Sequence, residues 1–453
     1  MLGQEKAFKI MEEALAMTKA DEMEIVLMGH DHSLTRYANS QIHQNTAEEN
    51  ATMIFKAVSG KRIGVSSTNN FHPKKIAKAV ESALESAMKQ VPIDDYPGLP
   101  QKTDIPEVHT WVDRTMEINP EEKALIIGDM IARTHGDRMS LHGAFYTGAS
   151  ELAVANSNGI RTYTKGTLSN ITVITASADT SGYASDSSRN VDDLNHIALV
   201  EEALEAAKTH GEIKSLEPGK YPVLLEEYAV SEMLIYLASM GLTADSVENG
   251  HSFVPHYKGK EVFKPNISLY DDGFCPDSFA VPFDFEGQPR RRVDFIKNGV
   301  VTGEITHNNY TASKEGIKST GHSLTPESGI SRTEPFNMIM EPGTKTREEI
   351  IAGMERGVLV KRFHYLTTVH PLKTIISGMT RDGVFWVEDG KIKHRLRDMR
   401  FTQSILDLFK NTKELTSARK AIWFRDYTLD FPMNVVIPQL YVEDFNFTGQ
   451  TEF

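Results

Sequence analysis

The chain has 453 residues, which is long for one domain and suits two or three. Its formal net charge of -13 argues against a broad nucleic-acid-binding surface, so we expect no direct contact with nucleic acid. The single cysteine, Cys275, excludes an internal disulfide and a cysteine-rich metal site, and it fits a reducing, cytoplasmic compartment. No apolar run approaches the ~20 residues that cross a bilayer, and the N-terminal residues lack a signal-peptide pattern.

Apolar spacing in the first half of the chain predicts both helices and strands. The predicted helices cover residues 4–20, His72–Gln90, Pro120–Thr134 and Asn195–His210. The predicted strands cover Glu24–Met28, Ala51–Val58, Arg62–Ser67 and several segments between 139 and 179, with a hairpin turn at Asn156–Gly159.

Two segments of this half are predicted to lack regular secondary structure. Residues 91–107 contain four prolines and are interpreted as a linker or a long surface loop. The N-terminal α+β domain is predicted to cover residues 1–216, with a possible split near 91–118. Residues 180–192 are small and polar and are interpreted as an exposed loop. The turn residues Glu217–Lys220 then mark the predicted domain boundary.

The second half, residues 217–453, is predicted to be rich in strands. A strand is expected at Tyr221–Leu225, and an amphipathic core helix at Ala229–Met240. Further helices are expected near Arg347–Gly357 and Gln403–Lys410, with a late strand at Asn434–Ile437. Because the predicted helices are concentrated early and the predicted strands late, the fold class is predicted as α+β with a large, mostly antiparallel C-terminal β domain.

Zinc-protease chemistry needs two histidines on one helix with a glutamate beside the first, and none of the 16 histidines is followed by Glu. The closest histidine pairs are His30/His32, His251/His256 and His364/His370. Metal binding is a weaker alternative for the first two pairs, whereas His364 and His370 flank a strand-like segment and are interpreted as substrate-binding or structural residues. His30 and His32 would point the same way on a strand, although a polar strand end is the simpler interpretation.

The cysteine and the charged runs of the sequence do not identify a catalytic site. Cys275 has no nucleophile signature around it and is interpreted as packed. Acidic pairs such as Glu226-Glu227 and Asp271-Asp272 are interpreted as surface charge, and the run Arg290–Arg292 as a solvated or carboxylate-paired strand edge.

Several ordered segments nevertheless resemble one family, TldD/PmbA, from about residue 30 to the end of the chain. They are Arg36-Tyr-Ala-Asn-Ser-Gln-Ile42, Gly60-Lys-Arg-Ile-Gly64, Val154-Ala-Asn-Ser-Asn-Gly159, Pro218-Gly-Lys-Tyr-Pro-Val-Leu-Leu225, Pro282-Phe-Asp-Phe-Glu-Gly287, Asn298-Gly-Val-Val-Thr-Gly303, Tyr310-Thr-Ala-Ser-Lys-Glu-Gly316, Ser319-Thr-Gly-His322 and Gly378-Met-Thr-Arg-Asp-Gly-Val-Phe-Trp-Val-Glu-Asp-Gly390. The family has also been described as modulators of DNA gyrase.

The resemblance implies a metallopeptidase scaffold. TldD-type members carry His-Glu-x-x-x-His on the helix after the Pro-Gly-Lys-Tyr-Pro-Val strand, and a cysteine ligand near the C-terminus. They pair with PmbA-type (also called TldE) members, which lack the motif, and the pair cleaves unfolded or modified peptides in an enclosed channel.

In this sequence, Ile235, Tyr236 and Met240 lie near the His, Glu and His positions of that motif. No histidine occurs between 211 and 250, and no cysteine follows Cys275. Isoleucine has no donor atom and methionine binds zinc poorly. The resemblance therefore predicts a PmbA-type chain without its own catalytic residues, metal or cofactor, with zinc expected only in a partner that carries His-Glu-x-x-x-His.

The expected partners are such a TldD-like subunit, or a second copy in a homodimer, together with a peptide substrate. His322, His370, Arg381 and Asp382 are the candidate residues of the substrate channel. Two alternatives remain open: a self-sufficient peptidase with a displaced metal site at His251/His256 or His322/His370, and a binding or regulatory protein of the gyrase-modulator type.

Overall fold

The computed structural model describes residues 1–425 and 432–451. A six-stranded antiparallel sheet organises the N-terminal half. Its strands are β1 (Glu22–Ala38), β2 (Gln41–Ser59), β3 (Arg62–Thr68), β4 (Ser140–Asn156), β5 (Arg161–Ala176) and β6 (Ser181–Ser188), in the spatial order β3-β2-β1-β4-β5-β6. The helices of this half are α1 (Gln4–Met17), α2 (Pro73–Met88), α3 (Asp113–Glu117), α4 (Pro120–Thr134) and α5 (His196–Ala207).

The two faces of this sheet have different partners. Ile25 and Leu27 of β1 face α1 and α2, whereas Val26 packs against Phe283 and Phe285 of the C-terminal half. This follows from the strand period of two, which sends alternate side chains to opposite faces. One face is therefore covered by helices, and the other joins the two halves of the chain.

Most predicted elements of this half are confirmed, but two strands are longer than predicted and one prediction is wrong. The strands expected at Glu24–Met28 and Ala51–Val58 extend over 17 and 19 residues. Residues 180–192, expected to be a loop, contain β6, which pairs with β5 at the sheet edge. Its small residues are needed because α5 lies against it: a Cβ on Gly182 would lie 1.9 Å from the Ala203 carbonyl oxygen.

Two further sheets form the C-terminal half. The first has the order β10-β9-β8-β11-β18-β17. The second contains β12-β7-β19-β15-β13-β14, with β16 beside β19. Their bounds are β7 (Gly219–Leu225), β8 (Leu269–Asp271), β9 (Val293–Lys297), β10 (Val300–Val301), β11 (Asn337–Met340), β12 (Arg356–His370), β13 (Ile375–Glu388), β14 (Lys391–Arg395), β15 (Met399–Ser404), β16 (Thr412–Leu415), β17 (Lys420–Arg425), β18 (Pro432–Ile437) and β19 (Leu440–Gln450).

Because β12 also pairs with β13, the strands β12, β7, β19, β15 and β13 close into a ring. The pairs β7–β12 and β11–β18 are parallel and the remaining strand pairs of this half are antiparallel. The predicted α+β class with a mostly antiparallel C-terminal part is confirmed. The expectation that sheet is concentrated late is wrong, since the N-terminal half contains its own long-stranded sheet.

The helices of the C-terminal half are α6 (Glu227–Gly241), α7 (Ala244–Glu248), α8 (Val254–Tyr257), α9 (Asn309–Glu315), α10 (Arg347–Ala352) and α11 (Ile405–Lys410). Two are shorter than predicted: Arg356–Gly357 already belong to β12, and Gln403–Ser404 still belong to β15. In both cases these residues pair with β13 and therefore belong to a strand. No helix of the described residues is long and apolar enough to span a membrane.

A buried ion cluster lies where the two halves meet. The Lys56 ammonium of β2 lies 3.4 Å from Glu24 and 3.6 Å from Glu286, and these side chains are almost completely buried. Burial raises the pKa of Glu24 to about 7, an effect that Lys56 partly offsets. Lys56 therefore links one carboxylate from each half of the chain.

Candidate functional site

Helix α6 occupies the position at which the family resemblance implies a zinc motif. It begins immediately after strand β7, and its apolar residues pack between the two C-terminal sheets in the largest core cluster. Ten of its 15 residues are buried. The expected amphipathic helix is thus a largely interior one, because sheets cover it on more than one side.

One narrow stripe of α6 remains accessible. It consists of Glu232, Ile235, Tyr236 and Ser239, which are partly or fully exposed and follow the i, i+3, i+4, i+7 spacing of one helix face. This stripe and the strands beside it form the candidate site.

The three residues at the motif positions do not fit a zinc ion. Met240 is only 4% exposed and belongs to the core cluster. Tyr236 donates its phenol hydrogen to the main-chain oxygen of Leu366 in β12. Ile235 lies on the accessible stripe but offers no donor atom. The helix therefore lacks the ligand chemistry of the motif, and its second motif position makes a structural contact.

Glu232 lies one helical turn before Tyr236. Its environment raises the pKa of this carboxyl to about 8, mainly because burial disfavours the charged form, while Arg362 acts in the opposite direction. A carboxyl with this pKa is largely protonated at neutral pH and can donate or accept a proton. It is the only carboxyl on the accessible stripe of α6.

Arg362 connects the two halves of the chain beside this stripe. Its guanidinium group forms a hydrogen-bonded ion pair with Asp382 of β13 and lies 4.4 Å from the ring of Tyr183 in β6. Ser181, also in β6, donates its hydroxyl to the other oxygen of Asp382. The site is therefore built from α6, the β12–β13 pair and the edge strand of the N-terminal sheet.

The structure brings together only two of the four predicted channel residues. Arg381 and Asp382 are neighbours on β13; Arg381 is half-exposed, whereas Asp382 is buried in its contacts with Arg362 and Ser181. His370 is exposed at the end of β12, where its Nδ1 accepts a hydrogen bond from the Lys373 amide.

His322 lies in a different, fully buried cluster. Its Nε2 contacts Asp271 and Arg290, and its Nδ1 contacts Thr320. Burial, and then Arg290, lower the pKa of His322 to about 4, so the ring is neutral at pH 7. Since both ring nitrogens are engaged inside the protein, His322 is not positioned to share a metal ion with His370.

This cluster corrects the interpretation of Asp271. Asp271 is completely buried and not a surface charge, because the buried Arg290 guanidinium pairs with it. Arg290 and Arg292 are both paired with carboxylates, which was one of the two interpretations of this run: Arg290 pairs with Asp271 in the interior, and Arg292 with Asp294 near the surface.

A second charged cluster surrounds the start of α6. Glu226 forms ion pairs with Lys361 and Arg347, and Lys361 also forms one with Glu202 of α5. These groups line a cavity of about 350 Å³. Glu226, expected at the surface, is only 5% exposed. Its pKa is lowered because Lys361 and Arg347 outweigh the effect of burial.

Sequence reasoning missed Glu232, Arg362 and Glu226. A charged residue inside an otherwise apolar helix was the available signal for Glu232. Nothing in the sequence indicated that Arg362 and Asp382 would pair, because a register irregularity near Arg362 in the β12–β13 ladder accompanies their approach.

Among the described residues, one group of three side chains could hold a metal ion. It consists of His30, His32 and Glu48 in the N-terminal sheet. His251 and His256, the other proposed site, are exposed near α8.

Comparisons with known proteins agree with this architecture. The chain is 25% identical over 370 residues to "Metalloprotease PmbA" of Escherichia coli O157:H7, covering 77% of each protein. Its fold is similar to that of TldE from Thermococcus kodakarensis, with a TM-score of 0.88 and 20% identity over 97% of this chain and 100% of that one.

A Thermotoga maritima protein named as a candidate modulator of a DNA gyrase gives a TM-score of 0.85 and 22% identity, covering 98% of this chain and 100% of that one. The sequence model described as "PmbA/TldA metallopeptidase C-terminal domain" matches residues 218–449, which include α6 and both C-terminal sheets. Because this match extends over more than half of the chain, the protein belongs to the TldD/PmbA family of metallopeptidase-related proteins.

Proposed function

We propose that the protein is a non-catalytic, PmbA/TldE-type subunit that pairs with a zinc-bearing TldD-like subunit and shapes a channel for unfolded or modified peptides. The proposal rests on the contacts that two α6 residues make at the motif positions. Met240 is part of the core, and Tyr236 donates a hydrogen bond to the main-chain oxygen of Leu366. A zinc ion and a water-activating glutamate have no place on such a helix.

The accessible residues beside α6 suit peptide binding without hydrolysis. Arg381 can pair with a peptide carboxylate, and the protonated Glu232 can donate a hydrogen bond to a carbonyl. Arg362 and Asp382 pair with each other across β12 and β13, and their contacts with Tyr183 and Ser181 of β6 hold the strand pair against the N-terminal sheet. We place the complex in the cytoplasm, in keeping with the single cysteine of the sequence.

The proposal is tested by producing the chain alone and together with the family member of the same organism that carries His-Glu-x-x-x-His. Size-exclusion chromatography and cleavage of an unfolded reporter peptide are measured for each sample. We expect a heterodimer whose cleavage is abolished by a chelator, and no cleavage by this chain alone. A chain that forms only homodimers, or that cleaves the peptide alone with zinc bound, would overturn the proposal.

A variant pair tests the channel role. Arg381→Ala removes a half-exposed cation on β13, opposite Arg362 in the β12–β13 ladder, and we expect it to raise the KM of the pair for an acidic peptide several-fold with little change in kcat. Arg356→Ala removes an exposed arginine at the other end of the β12–β13 pair and serves as the matched control. Equal effects of the two substitutions would argue against a channel at Arg381.

The gyrase-modulator alternative has a separate readout. Supercoiling by purified gyrase is measured with an excess of this chain. We expect no change, whereas concentration-dependent inhibition or stimulation would favour the regulatory function instead.

A further inference from the structure

Two histidines and a glutamate converge on the N-terminal sheet, far along the chain from α6. His30 and His32 are two residues apart on β1, so both side chains leave the same face of the sheet. Glu48 of β2 is directly opposite His32 in the antiparallel register. The register of one strand pair thus brings together residues that are 16 or more positions apart in the sequence.

The two distances from the imidazoles to the Glu48 carboxylate are close to those between neighbouring ligands of one metal ion. His30 Nε2 lies 3.5 Å from Glu48 Oε1, and His32 Nε2 lies 3.7 Å from Glu48 Oε2. Both separations exceed good hydrogen-bond lengths. They are close to the ligand–ligand spacing of about 3.4 Å that follows from zinc bonds of about 2.0–2.2 Å in a tetrahedral site.

We propose that His30, His32 and Glu48 bind a divalent transition-metal ion of the zinc type. The three ligand atoms lie within 4.8 Å of one another. Glu48, whose side chain is 60% exposed, has room to turn its carboxylate toward the two imidazoles. Two imidazoles and one carboxylate are a known zinc ligand set, with water in the remaining position, whereas calcium and magnesium prefer more oxygen ligands.

The imidazoles are held in place before any metal arrives. Their rings stack with centroids 4.8 Å apart, and the two side chains are only 13% and 7% exposed. Tyr146 of β4 lies against His32, and Trp423 of β17 covers Tyr146. Opposite His32 stands Gly148, where a Cβ would lie 2.5 Å from the His32 Cβ. The glycine therefore makes room for this histidine.

The location of His30, His32 and Glu48 in the sheet indicates what a bound metal ion would do to the structure. In the described part of the sheet, β3 pairs only with residues 53–59 of β2, and the preceding part of β2 pairs with β1 alone. A metal ion bound to His30, His32 and Glu48 would cross-link β1 and β2 where β2 has one neighbour. Its role is then structural and separate from peptide hydrolysis. The chain would then bind a metal ion of its own, in contrast to the expectation from its sequence.

The test uses the metal-free full-length chain and titrates it with zinc chloride alone by calorimetry. We expect one zinc ion per chain for the wild type. Glu48→Gln changes only an exposed side chain and is expected to weaken zinc binding at least about tenfold. His43→Gln alters an exposed histidine on the same strand, outside the group, and is expected to leave zinc binding unchanged.

Two further measurements distinguish the loss of metal ligands from the unfolding of a variant. Cobalt(II) absorption reports coordination directly, and its intensity should be that of a four- or five-coordinate site in the wild type only. Zinc should also raise the Tm of the wild type but not that of Glu48→Gln. The proposal is overturned if the wild type binds no zinc, or if His43→Gln weakens binding as much as Glu48→Gln does.

Discussion

Tyr236 of α6 donates a hydrogen bond to the main-chain oxygen of Leu366 in β12. It stands near the position where the resemblance implies a catalytic glutamate. The phenol therefore ties the helix to the neighbouring strand at the point where a TldD-type subunit would activate water. Substitutions at Met240 and Ile235 compare a buried position of this helix with an accessible one.

Met240→His should destabilise the protein, because it places a polar ring at a position that is 4% exposed in the core. We expect the free energy of unfolding to fall by about 2–4 kcal/mol, as measured by urea denaturation. Ile235→His changes the accessible stripe of the same helix and should cost about 1 kcal/mol or less. Equal costs would contradict the burial of Met240.

Glu232→Gln should alter the pH dependence of stability. A folded-state pKa of about 8, against the ordinary 4.5, means that the contribution of this carboxyl is complete below about pH 4.5 and is lost as pH rises through 8. Glutamine cannot ionise, so the variant should gain stability relative to the wild type across this interval. We expect a gain of about 1–3 kcal/mol near pH 9, limited by partial exposure of the group.

The measurement is urea unfolding of both proteins near pH 5 and pH 9. Glu85→Gln, at an exposed position of α2, controls for the loss of one negative charge. A difference between wild type and Glu232→Gln that stays constant with pH would contradict the shifted titration.

Asp271→Asn should be strongly destabilising. Asp271 is buried with Arg290 and His322, and its other oxygen accepts the Asn337 amide at 2.7 Å. The substitution leaves the Arg290 charge without its counter-ion, and we expect a loss of about 3–5 kcal/mol in unfolding free energy.

The matched control is Asp294→Asn, which removes the partly exposed partner of Arg292. Such a pair contributes about 0–1 kcal/mol. The pKa of Asp271 is lowered chiefly by Arg290 and then by His322, against the effect of burial. The wild type should therefore lose this contribution only as pH falls below the ordinary aspartate range, and similar costs for the two variants would refute the buried pair.

Gly182→Ala should weaken the packing of α5 on the edge strand β6. The added Cβ would lie 1.9 Å from the Ala203 carbonyl oxygen and 2.6 Å from the Ala207 nitrogen, so the helix must move. We expect a loss of at least about 2 kcal/mol. In contrast, Gly128→Ala in α4 meets no atom within 4 Å and should stabilise by about 0.5–1 kcal/mol through helix propensity. Thermal unfolding of both variants provides the comparison.

Periodic segments were predictable because local burial patterns repeat within them. The apolar stripe of α2 and the turn at Asn156–Gly159 are examples, and Gly159 adopts the positive φ that such a turn requires. The edge strand β6 was missed because its residues are small and polar. Its strand conformation depends on pairing with β5 and on contact with α5, neither of which is local.

Charged residues were the least predictable. Glu226 and Asp271 look like surface residues in the sequence, and both are buried with cations from distant segments. A burial pattern cannot reveal such pairs, because each partner is costly to bury alone and acceptable only when the other is present.

The sequence by itself determined that α6 carries no zinc motif, because a residue without a donor atom cannot become a ligand in any fold. Only the tertiary structure decided that Met240 lies in the core, that Glu232 faces Arg362, and that His30 and His32 meet Glu48. The physical reason is that ligand chemistry belongs to the individual side chain, whereas burial, pKa and metal geometry arise from strand register and packing between distant segments.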